Sequence, residues 1–499
     1  MPRFRRLSSA QPGRFPPVET GPRVLFNSIQ FPLFLAIVFV LYWSARRAPL
    51  QAQNTIVLAA SYVFYGWWDW RFLGLIAGSS LLDFFLGLQV HKQRAPTKRK
   101  ALLAMSLLVN LGGLAIFKYL GFFVASTAEL LTSLGLQPNL PTLHIILPVG
   151  ISFYTFQTLS YTIDIYRRKI EPTRDIVGFL AFVSFFPQLV AGPIERAAAL
   201  LPQFLVRRQF DVTKAKDGLR QILWGLFKKV VIADNLSGQV RAIFDGYASL
   251  DGVALTIGAL FFALQIYCDF SGYSDIAIGT ARLFGFNLTR NFAFPYFSRD
   301  IGEFWRRWHI SLSSWFRDYV YIPLGGSRLS TASRIRNIVI TFTVSGFWHG
   351  ANWTFIVWGL LNGLYYIPLM LANKRPPDTV VAVGRLLPSL NELIAMMITF
   401  ALTLIAWVFF RAESLTHAIQ YLWRGVSHPW LGLDLSGYGP GLIACAILLA
   451  LEWFQRDKQH ALELSQVSVL PRWFTYISVA LAIFVFGHLG ATEFIYFQF

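Results

Sequence analysis

Apolar residues run along this chain in long blocks separated by short polar or basic segments. The blocks fall at 24–43, 54–68, 72–90, 101–125, 143–166, 175–191, 253–284, 337–371, 390–411, 439–455 and 471–489. A helix needs about 20 mostly apolar residues to cross a bilayer. The longest blocks, 253–284 and 337–371, are each long enough to be a helix pair. The pattern therefore predicts about 10–13 membrane helices, some short or broken. The blocks are too long and too continuously apolar for barrel strands. Within lipid only helices and closed barrels satisfy their own backbone groups. An all-α, polytopic membrane fold follows. One block departs from the pattern: Pro187, Gly192 and Pro193 interrupt 175–191, which predicts a segment that enters and returns, lined by protein.

Composition supports a lipid solvent. Only 14% of the 499 residues are charged, against about 25% in soluble domains. Aromatic residues make up 16%, which excludes a disordered chain. Lysine and arginine exceed aspartate and glutamate by 44 to 26, giving +18. In a soluble protein that excess points to nucleic acid. Here the basic residues lie between apolar blocks, so they are read as topology signals and contacts for anionic membrane lipids, with no nucleic-acid partner. Segments 92–100 and 167–174 are basic and read as cytoplasmic, whereas 126–142 has no lysine or arginine and reads as the far side. Counting back from 92–100 puts residues 1–23 outside despite five arginines. This tail shows no secretory cleavage site and is treated as an N-terminal extension to a single domain over 24–499. Cys268 and Cys445 both lie in apolar blocks. They give no disulfide framework and no zinc site, and no metal or bound cofactor is expected.

The motifs of soluble enzymes (G-x-S-x-G, Walker, G-x-G-x-x-G and H-E-x-x-H) are absent. Candidate chemistry lies instead in polar residues embedded among apolar ones, which cost insertion energy and need a reason to persist. The strongest block is 299–326, RDIGEFWRRWHISLSSWFRDYVYIPLGG. Read as one helix, it carries an apolar stripe of Phe304, Trp308, Leu312, Trp315 and Tyr319. Glu303, Arg306, Arg307, Ser311, Ser314, Arg317 and Asp318 lie opposite, and His309 falls where the two faces meet. The alternative reading is an aromatic interfacial anchor. The second block is 345–354, SGFWHGANWT. His349 has no lysine, arginine, aspartate or glutamate near it in sequence between Asn337 and Met370. Trp348 and Trp353 are expected to wall it from water, Asn352 to orient a group, and Gly346 and Gly350 to permit close approach. A desolvated imidazole suits a general base; a buried histidine satisfied by a neighbouring helix is the structural alternative.

Three further segments carry polar groups in apolar surroundings. In 265–286, Asp269, Ser271, Ser274, Asp275 and Arg282 suggest a cavity lining or a helix break, or an internal ion pair with Arg282. In 147–167, Gln157, Ser160 and Asp164 are equally ambiguous. In 225–235, Lys228 and Lys229 are read as phosphate contacts or, with more weight, as a solvated or headgroup face.

These segments together resemble the membrane-bound O-acyltransferase family, in its bacterial branch of alginate and peptidoglycan O-acetylating proteins. The resemblance is carried by LPVGISFYTFQTLSYTIDIY at 147–166, FPQLVAGPI at 186–194, DFSGYSDIAIGTARLFGF at 269–286, RRWHISLSSWFRDYVYIPLGG at 306–326, FWHGANWTFIVWGLLNG at 347–363 and the closing FIYFQF. It implies a ring of helices around a central tunnel, with a catalytic core at about 147–371. His349 corresponds to the family's catalytic histidine and His309 to the second histidine of its signature. Arg306, Arg307, Trp348, Asn352, Asp269 and Ser271 are the candidate substrate-binding residues. The implied donor is a cytoplasmic acyl thioester such as acetyl-CoA, the acceptor a secreted or cell-wall polysaccharide, and the partner an extracytoplasmic SGNH-type protein. The implied location is the bacterial inner membrane. Because such proteins begin near an F-N-S motif, here Phe26–Ser28, residues 1–23 are expected to lie upstream of the true start. The rival class is a polysaccharide or lipid transporter, or flippase. The chain shows neither an inverted repeat nor a recurring mid-membrane carboxylate pair to support it.

Overall fold

One helix of 32 residues, Gly252–Leu283, is a hub that packs against Val212–Leu226, Asp234–Asp245, Phe186–Leu189, Leu390–Arg411 and Leu415–Ser427. In this computed structural model, which describes residues 26–137, 146–190, 192–373, 377, 379–430, 437–488 and 494–495, helices but no strands are found. The N-terminal tail 1–23 lies outside the described residues, as do 496–499 of the closing motif. Among the described residues, six helical stretches are long and apolar enough to cross a membrane: Leu50–Lys92, Pro96–Ser133, Gly252–Leu283, Trp353–Leu371, Leu390–Arg411 and Val469–Phe486. Shorter apolar helices span Ile176–Leu189 and Gly439–Phe454. Leu50–Lys92 bends in its middle, where the Asp69 side chain accepts the backbone N–H of Arg71 and separates Leu50–Asp69 from Leu73–Lys92.

The hub is 78% buried across its apolar window, while Val469–Phe486 is only 6% buried there. Apolar residues such as Leu470, Phe474 and Phe484 therefore point outward, as lipid-facing side chains do and as water-facing ones rarely would in such number. The hub is one unbroken helix, because its glycines are contact points and not breaks. A Cβ on Gly272 would lie 2.8 Å from the carbonyl oxygen of Gly225 in the helix Val212–Leu226. Backbone meets backbone there, the usual use of small residues between membrane helices.

The block 337–371 does form a pair, Thr331–His349 and Trp353–Tyr365. The two cross at Gly346, where a Cβ would come 2.2 Å from the carbonyl oxygen of Phe355 and 3.0 Å from Cα of Gly359. Gly346→Val is expected to force this crossing apart and to destabilise the protein by about 1–3 kcal/mol or more. Melting of the detergent-solubilised variant checks this; a wild-type melting curve refutes it.

The interrupted block 175–191 becomes Ile176–Val183 followed by the single turn Phe186–Leu189, with Pro187 at its start. Both pieces are buried in protein. The Gln157 amide donates to the carbonyl of Phe182 at 2.8 Å, satisfying a group near the break that lipid would leave unpaired.

Candidate active site

The block 299–326 is not the single helix its periodicity predicts. It divides into Ile301–Arg307 and Ile310–Phe316, with His309 between them at φ 43°, ψ 55°. Histidine tolerates this left-handed region better than most residues, but holding any non-glycine residue there costs roughly 1–3 kcal/mol. The segment 291–293 holds it in place. The N–H of Ala293 donates to the carbonyl of Arg307 at 2.9 Å, and that of Ile310 to the carbonyl of Asn291 at 2.9 Å. The Asn291 side chain also accepts the Ser311 hydroxyl at 2.9 Å. The same hydroxyl accepts the Ile194 N–H at 2.9 Å, tying in the segment 186–194. The break turns the imidazole inward, so His309 is fully buried instead of lying at a wet–dry edge. Among the described residues neither of its ring nitrogens has a hydrogen-bond partner.

His349 ends the helix Thr331–His349 and is 3% exposed. Its ring centroid lies 4.9 Å from Trp348, 5.0 Å from Trp358, 5.4 Å from Phe410 and 6.4 Å from His309. Trp348 takes its expected place as a wall; Trp353 does not, being 52% exposed, and Trp358 stands there instead. Trp348, Phe156 and Trp315 stack in series, with Phe156 and Trp315 only 3.8 Å apart and 4° from parallel. The Trp315 indole N–H donates to the carbonyl of Phe156 at 3.0 Å. His309 meets Phe270 of the hub edge-on at 4.5 Å. Five separate sequence blocks thus converge on two imidazoles within an aromatic enclosure.

The other candidates are placed as follows. Asn352 caps the helix Trp353–Tyr365, accepting the Thr354 N–H at 3.0 Å and donating to the carbonyl of Glu413 at 3.1 Å. Arg307 pairs with the buried Glu303 at 2.8 Å, as does Arg299 at 3.0 Å. Arg306 is exposed and donates to the carbonyl of Pro377. Asp269 does not pair with Arg282, whose partner is Asp217. It pairs with Lys229 at 2.7 Å and accepts the Ile495 N–H at 2.6 Å. Ser271 accepts from Lys228 at 2.8 Å, and Lys228 also pairs with Asp275 at 2.6 Å. The reading of Lys228 and Lys229 as a solvated or headgroup face is therefore wrong. Both are buried, because the wide helical turn Phe227–Ala233 directs them toward carboxylates the hub supplies. Asp164 accepts the Tyr319 hydroxyl at 2.7 Å, joining 147–167 to the end of the histidine block. Glu195, in the loop beside Ile194, has its carboxyl pushed up to about 7 by burial, against the lowering effect of hydrogen bonds from Thr289.

Lys118, Trp358 and Phe410 were not anticipated at the site. Lys118 is the sole charged side chain in 101–125, and its ammonium donates to the carbonyls of Trp348 at 2.8 Å and His349 at 2.9 Å. A lone cation in an apolar block was a readable signal. Trp358 and Phe410 gave none, since nothing distinguishes them from other core aromatics.

The family model for MBOAT, the membrane-bound O-acyltransferase family, matches residues 168–376. The chain is 43% identical over 402 residues to a protein of Pseudomonas aeruginosa described as a probable alginate O-acetylase, covering 80% of this chain and 74% of that one. It is 32% identical to the peptidoglycan O-acetyltransferase of Helicobacter pylori, covering 95% and 98% of the two chains. Similarity to the teichoic acid D-alanyltransferase of Streptococcus thermophilus is 30% and spans 43% of this chain and 55% of that one.

Proposed function

The chain belongs to the membrane-bound O-acyltransferase family, and on the premise that it is a multi-pass membrane acyltransferase we propose that it serves O-acetylation of a secreted or cell-wall polysaccharide. The acyl group is acetyl, and its donor a cytoplasmic thioester such as acetyl-CoA. The protein sits in the bacterial inner membrane, and an SGNH-type partner on the far side completes delivery. The names of the relatives support the polysaccharide acceptor. The observation that carries the chemistry is the meeting of His309 and His349, 6.4 Å apart, in a water-poor enclosure.

In this reading His349 accepts the proton of an acceptor hydroxyl as its oxygen attacks the acyl carbonyl. The C–O bond forms, the C–S bond breaks, and the departing thiolate takes up the proton. Base assistance of this kind contributes about 10²–10⁴-fold. His309 lies across the site, where a ring N–H can donate to the developing oxyanion. Trp348, Trp358 and Phe410 pack around the His349 ring and keep it dry. Arg306, exposed at the surface, can meet the donor's phosphates, whereas Arg307 is half-buried and paired with the buried Glu303.

The test is deletion of the gene in its native host, with base-labile acetate measured in the purified envelope and extracellular polysaccharides. Loss of acetate, restored by the wild-type gene, is expected. Unchanged acetate in the deletion strain refutes the assignment.

A further inference from the structure

We propose that Lys118 is a positioning residue for His349, clamping the end of the helix that presents the imidazole. The proposal rests on the reading of His349 as the catalytic base. The last carbonyls of a helix have no N–H partner within it. In Thr331–His349 the chain leaves the helix extended at Gly350, with φ −163° and ψ 155°, so no further turn covers these carbonyls. Lys118 supplies the missing donors from another helix, more than 200 residues away in sequence, through bonds of 2.8 and 2.9 Å to the carbonyls of Trp348 and His349. A cation is also the charge a helix C-terminus favours.

The contact is built on both sides. Residues Ala115–Tyr119 form a wide helical turn inside the long stretch Pro96–Ser133, a feature that recurs at functional sites. The next residue, Tyr119, stacks on Phe347 at 4.2 Å and 19° from parallel, and its hydroxyl reaches the carbonyl of Trp348 at 3.4 Å. The Lys118 ammonium also lies 5.7 Å from the centre of the Trp348 ring. One turn of one helix therefore grips residues 347–349 by two hydrogen-bonding side chains and a ring stack. The grip fixes the backbone from which the His349 imidazole projects, and so bears on where its ring nitrogens lie. Small displacements of a catalytic group cost rate steeply, by about 10²-fold for 1 Å.

A lysine inside an apolar stretch hinders membrane insertion. Lys118→Met keeps the length of the side chain and removes the charge, so the variant should insert at least as well as the wild type. A loss of activity at full membrane abundance then speaks for a role at the site. The experiment places wild type, His349→Ala, Lys118→Met and Lys118→Arg in the deletion strain. It measures polysaccharide acetate, the amount of protein in the membrane fraction and its melting in detergent. Expected are no acetate with His349→Ala, about 10–100-fold less with Lys118→Met at unchanged abundance and melting, and substantial recovery with Lys118→Arg. If His349→Ala acetylates normally, the reading of the site fails. If His349→Ala is inactive and Lys118→Met acetylates at the wild-type level, the positioning role alone fails. A Lys118→Met loss that parallels loss of folded protein, or that arginine does not relieve, also overturns it by making the contact merely structural.

Discussion

His349→Ala is expected to abolish acyl transfer, a fall of about 10²–10⁴-fold or more, while the protein remains inserted and folded. The backbone interactions at this position survive the change, because Lys118 bonds to the carbonyl of residue 349 and not to its ring. What is lost is the imidazole, packed between Trp358, Phe410 and Trp348 and facing His309. The vacated space is lined by large rings able to shift into it, so the stability cost should stay below that of a rigid cavity. Polysaccharide acetate and protein abundance in the membrane fraction read the two effects separately. Wild-type acetylation by this variant removes the catalytic assignment. The parallel change His309→Asn is the informative one at the second histidine. Asparagine also tolerates the left-handed backbone, so it tests the ring without adding strain. A clear loss of acetylation with normal abundance is expected, and no loss would confine His309 to a structural role.

Lys229→Met is expected to have the largest effect on stability. Lys229 is 1% exposed and is shared by two carboxylates, Asp234 at 2.8 Å and Asp269 at 2.7 Å. Removing the cation leaves both acids buried with their shared counter-charge gone, and breaking a buried ion pair from one side costs about 3–5 kcal/mol. The consequence reaches further, because Asp269 also accepts the N–H of Ile495 and so holds Phe494 and Ile495 against the hub. Phe494 sits there against Phe270 and Tyr273, and Phe270 in turn meets His309. Reduced abundance in the membrane and a markedly lower melting temperature in detergent are expected. A melting temperature within a degree or two of wild type would show that the triad contributes little. Lys229→Arg, which keeps the charge, should be milder than Lys229→Met.

The placement of these residues separates what a linear pattern can carry from what it cannot. Apolar runs located the helices because lipid imposes one requirement on every spanning segment. The two histidine blocks stood out because polar groups are costly in such surroundings. Periodicity misread 299–326 because the break at His309 is held by hydrogen bonds that Asn291 accepts and Ala293 donates, both in a separate loop. It misread Lys228 and Lys229 because their carboxylate partners include Asp269 and Asp275 on another helix.

By itself the sequence determined that this is a helical membrane protein with two unusual histidine blocks, since hydrophobic length and the rarity of embedded polar residues are properties of each segment alone. Only the tertiary structure decided that His309 and His349 face each other, that Trp358 and not Trp353 closes the site, and that Lys118 holds the helix end. Those facts depend on which helices touch, and contacts between separate helices leave no period in the chain that makes them.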